Sequence, residues 1–424
     1  MNILIVYPKP DKYKNPRFGF SYEMLTIATV LSKHHNVHIK DFSCESYDED
    51  KLIEYVRREN IDISFIECDS YALKRSQNII HAARIIDVLN QYVPTIAYGI
   101  YRYITKQNFS NAAYTITEND INSVIDCINQ FEKNNYIAHV GAYDELPYIN
   151  RDLLLNIPYY KDNAQNTLLQ TSKGCENTCI FCQRKSWQSC YITHSDNYVL
   201  GEIKDIKSKG FKNVWITDEN FTFNLLRAKR LVKKIIQANL HERLRFFISS
   251  WANIDEDFLN LAKECNIRII SFGIESGNAE ILQFYRKNIN IDKVPHIIQY
   301  ANSIGIFTVG NFIIGAPMET EETIDKTFDF IRKCAFDQVN IKNLDYMLGS
   351  SLYDNLADEL KTEDHVFACF ENGLNAFKLK DIKLRKETFL SEYYKSHRAI
   401  IEKKISLYGT PFYVSNSSFQ HRKS

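Results

Sequence analysis

Three cysteines lie close together in the run Gly-Cys-Glu-Asn-Thr-Cys-Ile-Phe-Cys at residues 174–182. Cys175, Cys179 and Cys182 are spaced as Cys-x3-Cys-x2-Cys. Three thiolates with this spacing can hold three irons of a 4Fe–4S cluster and leave the fourth iron without a protein ligand. An open iron suits a small chelator, such as the amino and carboxylate groups of S-adenosylmethionine (SAM). One electron passed from the cluster to the sulfonium would then cleave a C–S bond and release a carbon radical.

Three other roles are possible for these cysteines. Cys190 follows Cys182 closely enough that a four-thiolate zinc site is formally possible, but structural zinc sites favour two separated cysteine pairs and no second pair occurs. A disulfide framework is not expected, because ten cysteines in 424 residues are too dilute. A chance grouping of buried thiols is disfavoured by the polar residues between them. The iron–sulfur interpretation is favoured.

The overall composition excludes several classes of protein. Lys+Arg and Asp+Glu each number 52, so no net field attracts nucleic acid or an anionic membrane. The amino-terminal run MNILIVYPKP is too short for a membrane span or signal peptide and is predicted to be a buried strand. The other cysteines are scattered without a pairing pattern, as in a reducing compartment. We therefore expect a cytoplasmic protein with no membrane partner.

The first 135 residues alternate strand and helix patterns, which predicts an α/β domain with a doubly wound parallel sheet. Ligands of such sheets bind at the carboxyl ends of the strands. Residues 136–165 have little periodicity and contain two prolines, so they are predicted to be a linker. The predicted elements are Asn2–Tyr7, Tyr22–His34, Asn36–Phe42, Leu52–Glu59, Ile61–Ile66, Gln77–Gln91, Thr95–Tyr98, Ala113–Ile116 and Ile121–Phe131.

A second alternating series occupies residues 166–345 and contains six strand–helix units, fewer than the eight of a closed barrel. Residues 346–424 are predicted to be a helical carboxyl-terminal region, in which Leu379–Lys404 has a basic amphipathic helix pattern. The predicted strands are Thr167–Thr171, Asn213–Thr217, Arg245–Ser250, Arg268–Phe272, Phe307–Ile314 and Gln338–Ile341. The loops that follow parallel strands share one rim, so the cysteine loop and the motifs below should face one cavity.

Polar and glycine-rich motifs follow three of these strands. Asp218, Glu219 and Asn220 follow the second strand and could accept from the SAM ammonium, although a solvated acidic turn is the plain structural alternative. Glu275, between Gly273 and Ser276 after the fourth strand, could accept from the ammonium or from ribose hydroxyls. The structural alternative there is a helix N-cap at Ser276. Backbone amides near Gly315, after the fifth strand, could contact adenine or simply form a strand-to-helix turn.

Together these motifs resemble the radical SAM superfamily, specifically its subgroup with a cobalamin-binding domain. The resemblance runs from residue 1 to about residue 360 and implies a Rossmann-like domain followed by a partial (β/α)6 barrel. It also implies that Cys175, Cys179 and Cys182 ligate a 4Fe–4S cluster. Phe181 would pack beside adenine, while Glu219 and Glu275 would contact SAM. The resemblance to this superfamily rests on residues 170–175, 181–182, 218–221, 271–277 and 311–323.

Two departures from the family pattern concern the cofactors. Many relatives have an arginine shortly after the third barrel strand, where this chain has the neutral Asn253, so another cation is expected to pair with the SAM carboxylate. Relatives often carry a Gly-Gly-Pro-His motif after the fourth strand of the first domain, where this chain has Tyr98-Gly99-Ile100-Tyr101. A Gly-Glu-Gly-Glu motif is expected near the end of that domain, where this chain has residues 117–120. The cobalt-ligand motif Asp-x-His-x-x-Gly is absent. Cobalamin stays a possible cofactor, but we predict weak binding or none, because Tyr98, Ile100 and Tyr101 fill the space of a corrin.

The favoured function is a radical SAM enzyme that removes hydrogen from an unactivated carbon of a specialised metabolite or peptide. Methylation is expected if cobalamin binds, and epimerisation, dehydration or rearrangement if it does not. A reductase such as flavodoxin or ferredoxin would supply the electron. Transfer-RNA modification is less favoured because no basic domain is appended.

Functions other than radical catalysis were considered for the same cysteines and for the first sheet, and one more cysteine is a candidate catalytic residue. The chain could be a non-catalytic iron–sulfur electron carrier or redox sensor, with Cys190 as the fourth ligand. A nucleotide-binding module has no support, because Gly-x-Gly-x-x-Gly does not follow the first strand. Cys369 is a candidate hydrogen donor to a substrate radical and is preferred over Cys334, although either could simply be a small buried hydrophobe.

Overall fold

The computed structural model describes residues 1–8, 20–69, 76–99, 109, 111–116, 120–132, 136–162, 165–182, 190–344, 346, 349–360 and 379–408. The chain divides into two compact units. The first comprises Met1–Leu168 and Ile192–Ile206, and the second comprises Leu169–Tyr191 and Lys207–Ser424. Both units are built on parallel sheets, which confirms the predicted α/β class.

The first unit contains a five-stranded sheet in the order β2-β1-β3-β4-β5, in which every neighbouring pair is parallel. This is the order of a doubly wound sheet, with its switch point between β1 and β3. The strands are β1 (Asn2–Tyr7), β2 (Asn36–Asp41), β3 (Ile63–Asp69), β4 (Thr95–Gly99) and β5 (Tyr114–Ile116). The helices are Tyr22–Leu31, Glu49–Arg58, Ser76–Leu89, Ile121–Phe131 and the greater part of Asp196–Ser208.

The segment predicted as a linker is packed into the core of the first unit. Ile149, Ile157 and Tyr160 belong to the same buried cluster as Ile3 and Ile5 of β1. The segment also forms short helical turns, which its weak periodicity did not predict. These turns are Tyr143–Glu145, Arg151–Leu154 and Pro158–Asp162.

A buried ion pair ties this segment to helix Asp196–Ser208. The Arg151 guanidinium lies 2.9 Å from a Glu202 oxygen, and both side chains are almost completely buried. The other Glu202 oxygen accepts from the Ile149 amide at 2.6 Å, and Arg151 also donates to Thr167 and to the Leu168 carbonyl. Burial raises the pKa of Glu202, and the Arg151 charge opposes that rise.

The second unit contains a six-stranded sheet in the order β13-β12-β11-β10-β9-β6. The pairs from β9 to β13 are all parallel, as expected for a partial barrel. Its strands are β6 (Asn166–Leu169), at which the chain enters the unit, β9 (Asn213–Ile216), β10 (Arg245–Ser250), β11 (Ile267–Glu275), β12 (Phe307–Ile314) and β13 (Gln338–Asn343). The short strands β7 (Ser172–Lys173) and β8 (Ile192–Thr193) flank the cysteine loop along the chain.

Helices follow the strands of this sheet. The longer helices each bury an apolar face, as the 3.6-residue spacing of their apolar residues predicts. The helices are Leu225–Gln237, Glu256–Glu264, Ala279–Phe284, Val294–Ser303, Glu321–Cys334 and Ser351–Asp354, with a turn at Asp358–Leu360. Among the residues that the structure covers, no helix is both long enough and apolar enough to cross a lipid bilayer.

The carboxyl-terminal helix Leu379–Tyr408 covers the edge strand β13 of this unit. The ring of Phe389 stacks on that of Phe328 with centroids 4.1 Å apart. The Tyr394 hydroxyl accepts from the Val339 amide at 2.9 Å and donates to the Val339 carbonyl at 3.0 Å. A single side chain therefore satisfies backbone groups that an edge strand would otherwise expose for pairing with another chain.

Several predicted bounds agree with the structure residue for residue, including Asn2–Tyr7, Ile121–Phe131, Arg245–Ser250 and Phe307–Ile314. The largest difference among the barrel strands is β11, which was predicted to end at Phe272 and continues to Glu275. The strand passes through a bulge between Gly273 and Glu275, where the register with β12 shifts. A bulge of this kind leaves no periodic signal in the sequence.

Replacing Arg151 with methionine should destabilise the first unit by about 3–5 kcal/mol, because the buried Glu202 carboxylate would lose the positive charge that compensates it. Chemical denaturation followed by circular dichroism measures this change. The double variant Arg151→Met/Glu202→Leu removes both charges and should recover most of the loss. A wild-type transition midpoint for the single variant would contradict this account.

Candidate active site

The cysteine loop is held by backbone hydrogen bonds on both sides. The Ile180 amide donates to the Tyr285 carbonyl at 3.2 Å, and the Leu352 amide donates to the Ile180 carbonyl at 2.9 Å. The Phe181 ring lies edge-on to the Tyr285 ring, with centroids 5.3 Å apart. Two later segments of the same unit therefore fix the loop between its second and third cysteines.

The three cysteine thiols are free and partly exposed. Asn177 donates to the Cys175 sulfur at 3.2 Å, and the Cys182 amide donates to the Cys179 carbonyl at 3.1 Å. Burial raises the pKa of Cys175, and it raises the pKa of Cys179 to about 12 although the nearby Lys287 charge favours the thiolate. Such thiols stay protonated until a metal displaces the proton.

The thiols are not arranged as ligands of one ion. In the parts of the chain described above, no three Cys, His, Asp or Glu side chains converge on a single metal position. Ligands of a cubane cluster each bind a different iron, so they need not converge in this way. Three soft donors on one short loop therefore suit a cluster.

Asp218 anchors the strand end that leads into this loop. One of its oxygens accepts from the Thr171 amide at 2.7 Å, and the other accepts from the hydroxyls of Thr171 and Ser172 at 2.6 Å each. Burial raises the pKa of Asp218, and these hydrogen bonds oppose the rise. Arg227 adds a bond to the Thr171 carbonyl at 2.7 Å. Both Asp218 oxygens are thus engaged by the chain itself.

The neighbours of Asp218 differ in position. Glu219 is partly buried and accepts from the Gly174 amide at 3.0 Å, directly before the first cysteine. Asn220 is buried and accepts from the Trp251 amide at 3.2 Å and from the Thr222 hydroxyl at 3.1 Å. Glu219 therefore lies beside the cysteine loop, whereas Asn220 holds the turn after β10.

A buried ion pair lies next to the cysteines. The Lys287 ammonium is 3.1 Å from a Glu275 oxygen and 3.9 Å from the centre of the Trp251 ring. Lys287 and Glu275 are 5% and 8% exposed, and both charges lie close enough to Cys179 to affect its pKa. Lys287 is a candidate for the cation that is expected above in place of the family arginine. It lies outside every motif described above, and its only sequence signal is a basic residue one turn beyond helix Ala279–Phe284.

The backbone makes room for this pair. A Cβ atom at Gly273 would come within 2.9 Å of the Glu275 carboxylate and 3.1 Å of the Lys287 ammonium. Glu275 itself has φ of 75°, a left-handed conformation that costs a non-glycine residue roughly 1–3 kcal/mol. The strained bulge turns the Glu275 carboxylate toward Lys287.

The remaining predicted residues occupy supporting positions. The structural alternative for Ser276, a helix N-cap, does not hold: Asn278 caps helix Ala279–Phe284, while the Ser276 hydroxyl lies 3.1 Å from that of Thr327. Asn253 is exposed and donates to the Asn288 carbonyl at 2.8 Å. Gly315 has φ of 106°, and its amide donates to Glu319, whose second oxygen is buried and has no hydrogen-bond partner among the described residues. Cys369 lies outside the described residues.

At the carboxyl edge of the first unit's sheet, aromatic side chains are buried. Tyr98, at the end of β4, is 4% exposed, and Tyr7 and Phe20 are 1% and 2% exposed with ring centroids 5.6 Å apart. The Ser21 hydroxyl donates to Glu67 at 2.8 Å across the switch point between β1 and β3. Ile100 and Tyr101 lie outside the described residues. The described aromatic side chains at this edge therefore belong to the core of the first unit.

A family profile described as the Radical SAM superfamily matches residues 169–331. Residues 169–331 are a radical SAM domain. The match begins at the last residue of β6 and ends within helix Glu321–Cys334, so it includes the cysteine loop, Asp218, Glu275 and Lys287. The predicted superfamily is thereby confirmed.

Relatives with curated names include methyltransferases. The chain is 24% identical over 375 residues to an uncharacterized methyltransferase of Pyrococcus horikoshii, covering 80% of this chain and 79% of that protein. It is 28% identical over 234 residues to the cytidylyl-2-hydroxyethylphosphonate methyltransferase of Streptomyces wedmorensis, covering 51% of this chain and 44% of that protein.

Solved structures share the fold beyond the radical SAM domain. TsrM, a radical SAM methyltransferase of Kitasatospora setae solved with cobalamin and a 4Fe–4S cluster, superposes with a TM-score of 0.69 at 16% identity, covering 84% of this chain and 78% of TsrM. The cobalamin-dependent radical SAM enzyme OxsB superposes with a TM-score of 0.64 at 17% identity, covering 86% of this chain and 56% of OxsB. This likeness confirms the predicted fold, that of the subgroup with a cobalamin-binding domain.

Replacing Asp218 with alanine should destabilise the radical SAM domain by at least about 3 kcal/mol, since each buried donor left unpaired costs about 1–3 kcal/mol. Asp218→Asn keeps the shape and one acceptor oxygen, so its loss should be smaller. Urea denaturation of both purified variants gives the comparison. Wild-type stability of Asp218→Ala would show that these hydrogen bonds do not hold the strand end.

Proposed function

We propose that this protein is a radical SAM enzyme that removes a hydrogen atom from an unactivated carbon of a small metabolite or peptide. The observation that carries the proposal is the placement of three thiols of one loop beside a buried Glu275–Lys287 pair. When bound, a 4Fe–4S cluster with SAM supplies a one-electron cleavage that generates a carbon radical. The electron would come from a low-potential donor such as flavodoxin or ferredoxin.

The side chains at this site have the chemical groups that a 4Fe–4S cluster and SAM require. Cys175, Cys179 and Cys182 would hold three irons of the cluster and leave one iron open. The amino acid part of SAM carries an ammonium and a carboxylate. Glu219 and Glu275 have carboxylate oxygens that can accept from the ammonium, and Lys287 can donate to the carboxylate. Phe181, between the last two cysteines, would pack against the adenine.

Lys287 replaces the missing arginine in this proposal. Asn253 is neutral, exposed and already donates to a backbone carbonyl, so it would bind a carboxylate weakly. Lys287 is desolvated against the Trp251 ring, where its charge is screened less than at the surface. Asp218, Asn220 and Ser276 would act by supporting the loops.

The first unit has the fold of a cobalamin-binding domain, but its fourth strand ends in a bulky residue where a corrin would approach the backbone. Tyr98 stands where relatives have glycine, and its ring is buried in the core cluster. We therefore propose that cobalamin binds weakly or not at all. The outcome of the reaction would then be epimerisation, dehydration or rearrangement instead of methyl transfer through a corrinoid.

Alanine at Cys175, Cys179 or Cys182 should abolish the cluster and SAM cleavage, because each thiolate is the ligand of one iron. Iron content and 5′-deoxyadenosine formation after anaerobic reconstitution measure this. Cys190→Ala, at an exposed position, is the matched control and should retain both. An iron content close to that of the wild type in all three variants would contradict the proposal. Loss of iron in Cys190→Ala would favour a four-thiolate electron carrier.

Lys287→Gln should weaken SAM binding by about tenfold or more, as expected for the loss of a charge-assisted hydrogen bond worth about 1.5–3 kcal/mol. Lys287→Arg keeps the charge and should bind more tightly than Lys287→Gln. Calorimetric titration of the oxidised, reconstituted protein with SAM measures both. Lys342→Gln, an exposed lysine on β13, is the control, and equal affinities for all four proteins would rule out the role of Lys287.

The wild-type protein should carry far less than one equivalent of cobalamin after production with cobalamin supplied and desalting, because Tyr98 occupies the edge. The ultraviolet–visible spectrum distinguishes a corrinoid from the cluster. Stoichiometric retention, or a product that forms only when cobalamin is present, would overturn this prediction and make methyl transfer the leading activity.

A further inference from the structure

Two buried polar atoms near the cysteine loop lack hydrogen-bond partners within the part of the chain that the structure describes. They are the hydroxyl oxygen of Tyr285 and one carboxylate oxygen of Glu319. Tyr285 is 0% exposed and Glu319 is 3% exposed. Buried polar groups of native proteins are nearly always hydrogen-bonded, because an unsatisfied group costs free energy. Each of these two groups therefore needs a partner.

Tyr285 is attached to the cysteine loop in two ways. Its backbone carbonyl accepts from the Ile180 amide at 3.2 Å, and its ring lies edge-on to that of Phe181. Ile180 and Phe181 stand between Cys179 and Cys182 in the sequence. A shift of Tyr285 would therefore move the part of the loop that joins two of the proposed cluster ligands.

Glu319 closes the turn 315–319 that follows β12. One of its oxygens accepts from the amides of Gly315 and Ala316, the latter at 3.0 Å. The Glu319 amide in turn donates to the Ala316 carbonyl at 2.9 Å. These hydrogen bonds orient the carboxyl group, and its other oxygen is the unsatisfied one. The turn therefore holds an acceptor in a fixed position.

The two unsatisfied groups lie in the same part of the core. Tyr285 belongs to one apolar cluster with Ile180 of the loop and with Ala316, the residue whose amide Glu319 binds. Burial raises the pKa of Tyr285 well above its ordinary value, and the charge of Glu319 is the next largest cause. The chemistry of the two groups is complementary, since a phenol has an O–H to donate and a carboxylate oxygen accepts.

Other groups near Tyr285 are less suited as its partner. Glu275 and Tyr346 contribute less than Glu319 to the raised pKa of Tyr285, and one Glu275 oxygen is paired with Lys287 at 3.1 Å. Burial also raises the pKa of Glu319, and the amides of its turn oppose that rise. A protonated Glu319 would donate to the phenol oxygen. A hydrogen bond between Tyr285 and Glu319 is therefore available in either protonation state of the carboxyl group.

We infer that Tyr285 and Glu319 are positioning residues, joined by a hydrogen bond that fixes the cysteine loop to the turn 315–319, either directly or through one water molecule. The inference rests on the proposed function only for the cluster and SAM that this link would position. SAM is expected to contact both Phe181 and the turn at Gly315. These two contacts keep a fixed separation only while the link holds, although neither Tyr285 nor Glu319 touches SAM itself.

Urea denaturation of the cluster-free protein tests the link by the sign of one change. Tyr285→Phe keeps the ring and removes only the hydroxyl. It should lower the transition midpoint, because a hydrogen-bonded hydroxyl is lost. Removal of a truly unsatisfied hydroxyl would instead raise the midpoint or leave it unchanged, and that result would overturn the inference. Tyr300→Phe, which removes an exposed hydroxyl bonded to Asn260, is the control and should shift the midpoint less.

Variants of Glu319 show whether Tyr285 acts through this residue. In a Glu319→Leu background, Tyr285→Phe should not lower the midpoint further, because the partner is already absent. Glu319→Gln keeps an acceptor for the turn amides and offers an amide nitrogen to the phenol oxygen, so it should lie closer to wild type than Glu319→Leu. An additive effect in the Glu319→Leu background would overturn the inference. If Glu319→Leu fails to fold, the sign of the change in Tyr285→Phe still decides.

SAM affinity distinguishes a positioning role from a contribution to stability alone. Tyr285→Phe should retain its iron after anaerobic reconstitution, because the three thiolates remain. It should bind SAM about fivefold more weakly in a calorimetric titration, the effect expected for the loss of one hydrogen bond. Tyr300→Phe should bind SAM like the wild type. An unchanged affinity of Tyr285→Phe would reject the positioning role.

A crystal structure of Cys175→Ala separates this inference from the proposed function, because the link requires neither a cluster nor an electron. A phenol oxygen within hydrogen-bonding distance of Glu319 shows a direct link, and one water bonded to both groups shows a bridged link. A Tyr285 hydroxyl that bonds only to Glu275 or Tyr346 would overturn the inference and leave the radical chemistry intact. Failure of the wild type to cleave SAM, with the link present, would reject the proposed function alone.

Discussion

The candidate site depends on the hydrogen bonds that Asp218 accepts from Thr171 and Ser172. Three thiolates of a short loop can hold a cluster only if both ends of the loop are fixed in position. Asp218 fixes the end at which the loop begins. Because the carboxylate is buried, it interacts with these donors in a medium of low dielectric constant, where such bonds are stronger than in water. The Glu219 contact to Gly174 extends the same attachment by two residues toward Cys175.

A second set of contacts carries local strain near the cysteines. Glu275 has a left-handed backbone, Gly273 leaves space that any other residue would fill, and Lys287 is held between a carboxylate and an indole ring. Each feature alone would be unfavourable in an ordinary strand. Together they place one negative and one positive charge where a zwitterionic amino acid group can interact with both. Strain of this kind persists where the surrounding structure over-determines it.

Much of the fold could be predicted from the sequence, because its strands and helices have strong periodic patterns and its cysteines have a specific spacing. Ends of elements that depend on periodicity, such as Phe307–Ile314, were predicted correctly, whereas the extension of β11 to Glu275 depends on a bulge and was not. Lys287 was missed because its role comes from contacts with Glu275 and Trp251, which lie in other segments. The hydrogen bonds that join Ser271, Asn311 and Asn340 were missed for the same reason, since strand register alone aligns these residues.

The most direct measurement is pulsed electron paramagnetic resonance of the reduced, reconstituted protein with SAM carrying 15N and 13C in its amino and carboxylate groups. If the cluster has an open iron that binds the amino acid part of SAM, both labels should show hyperfine coupling to the cluster. The Cys190→Ala variant should show the same coupling as the wild type, because Cys190 is not a ligand of the cluster in this account. A cluster signal that does not change on addition of SAM, with no coupling to either label, would contradict the account.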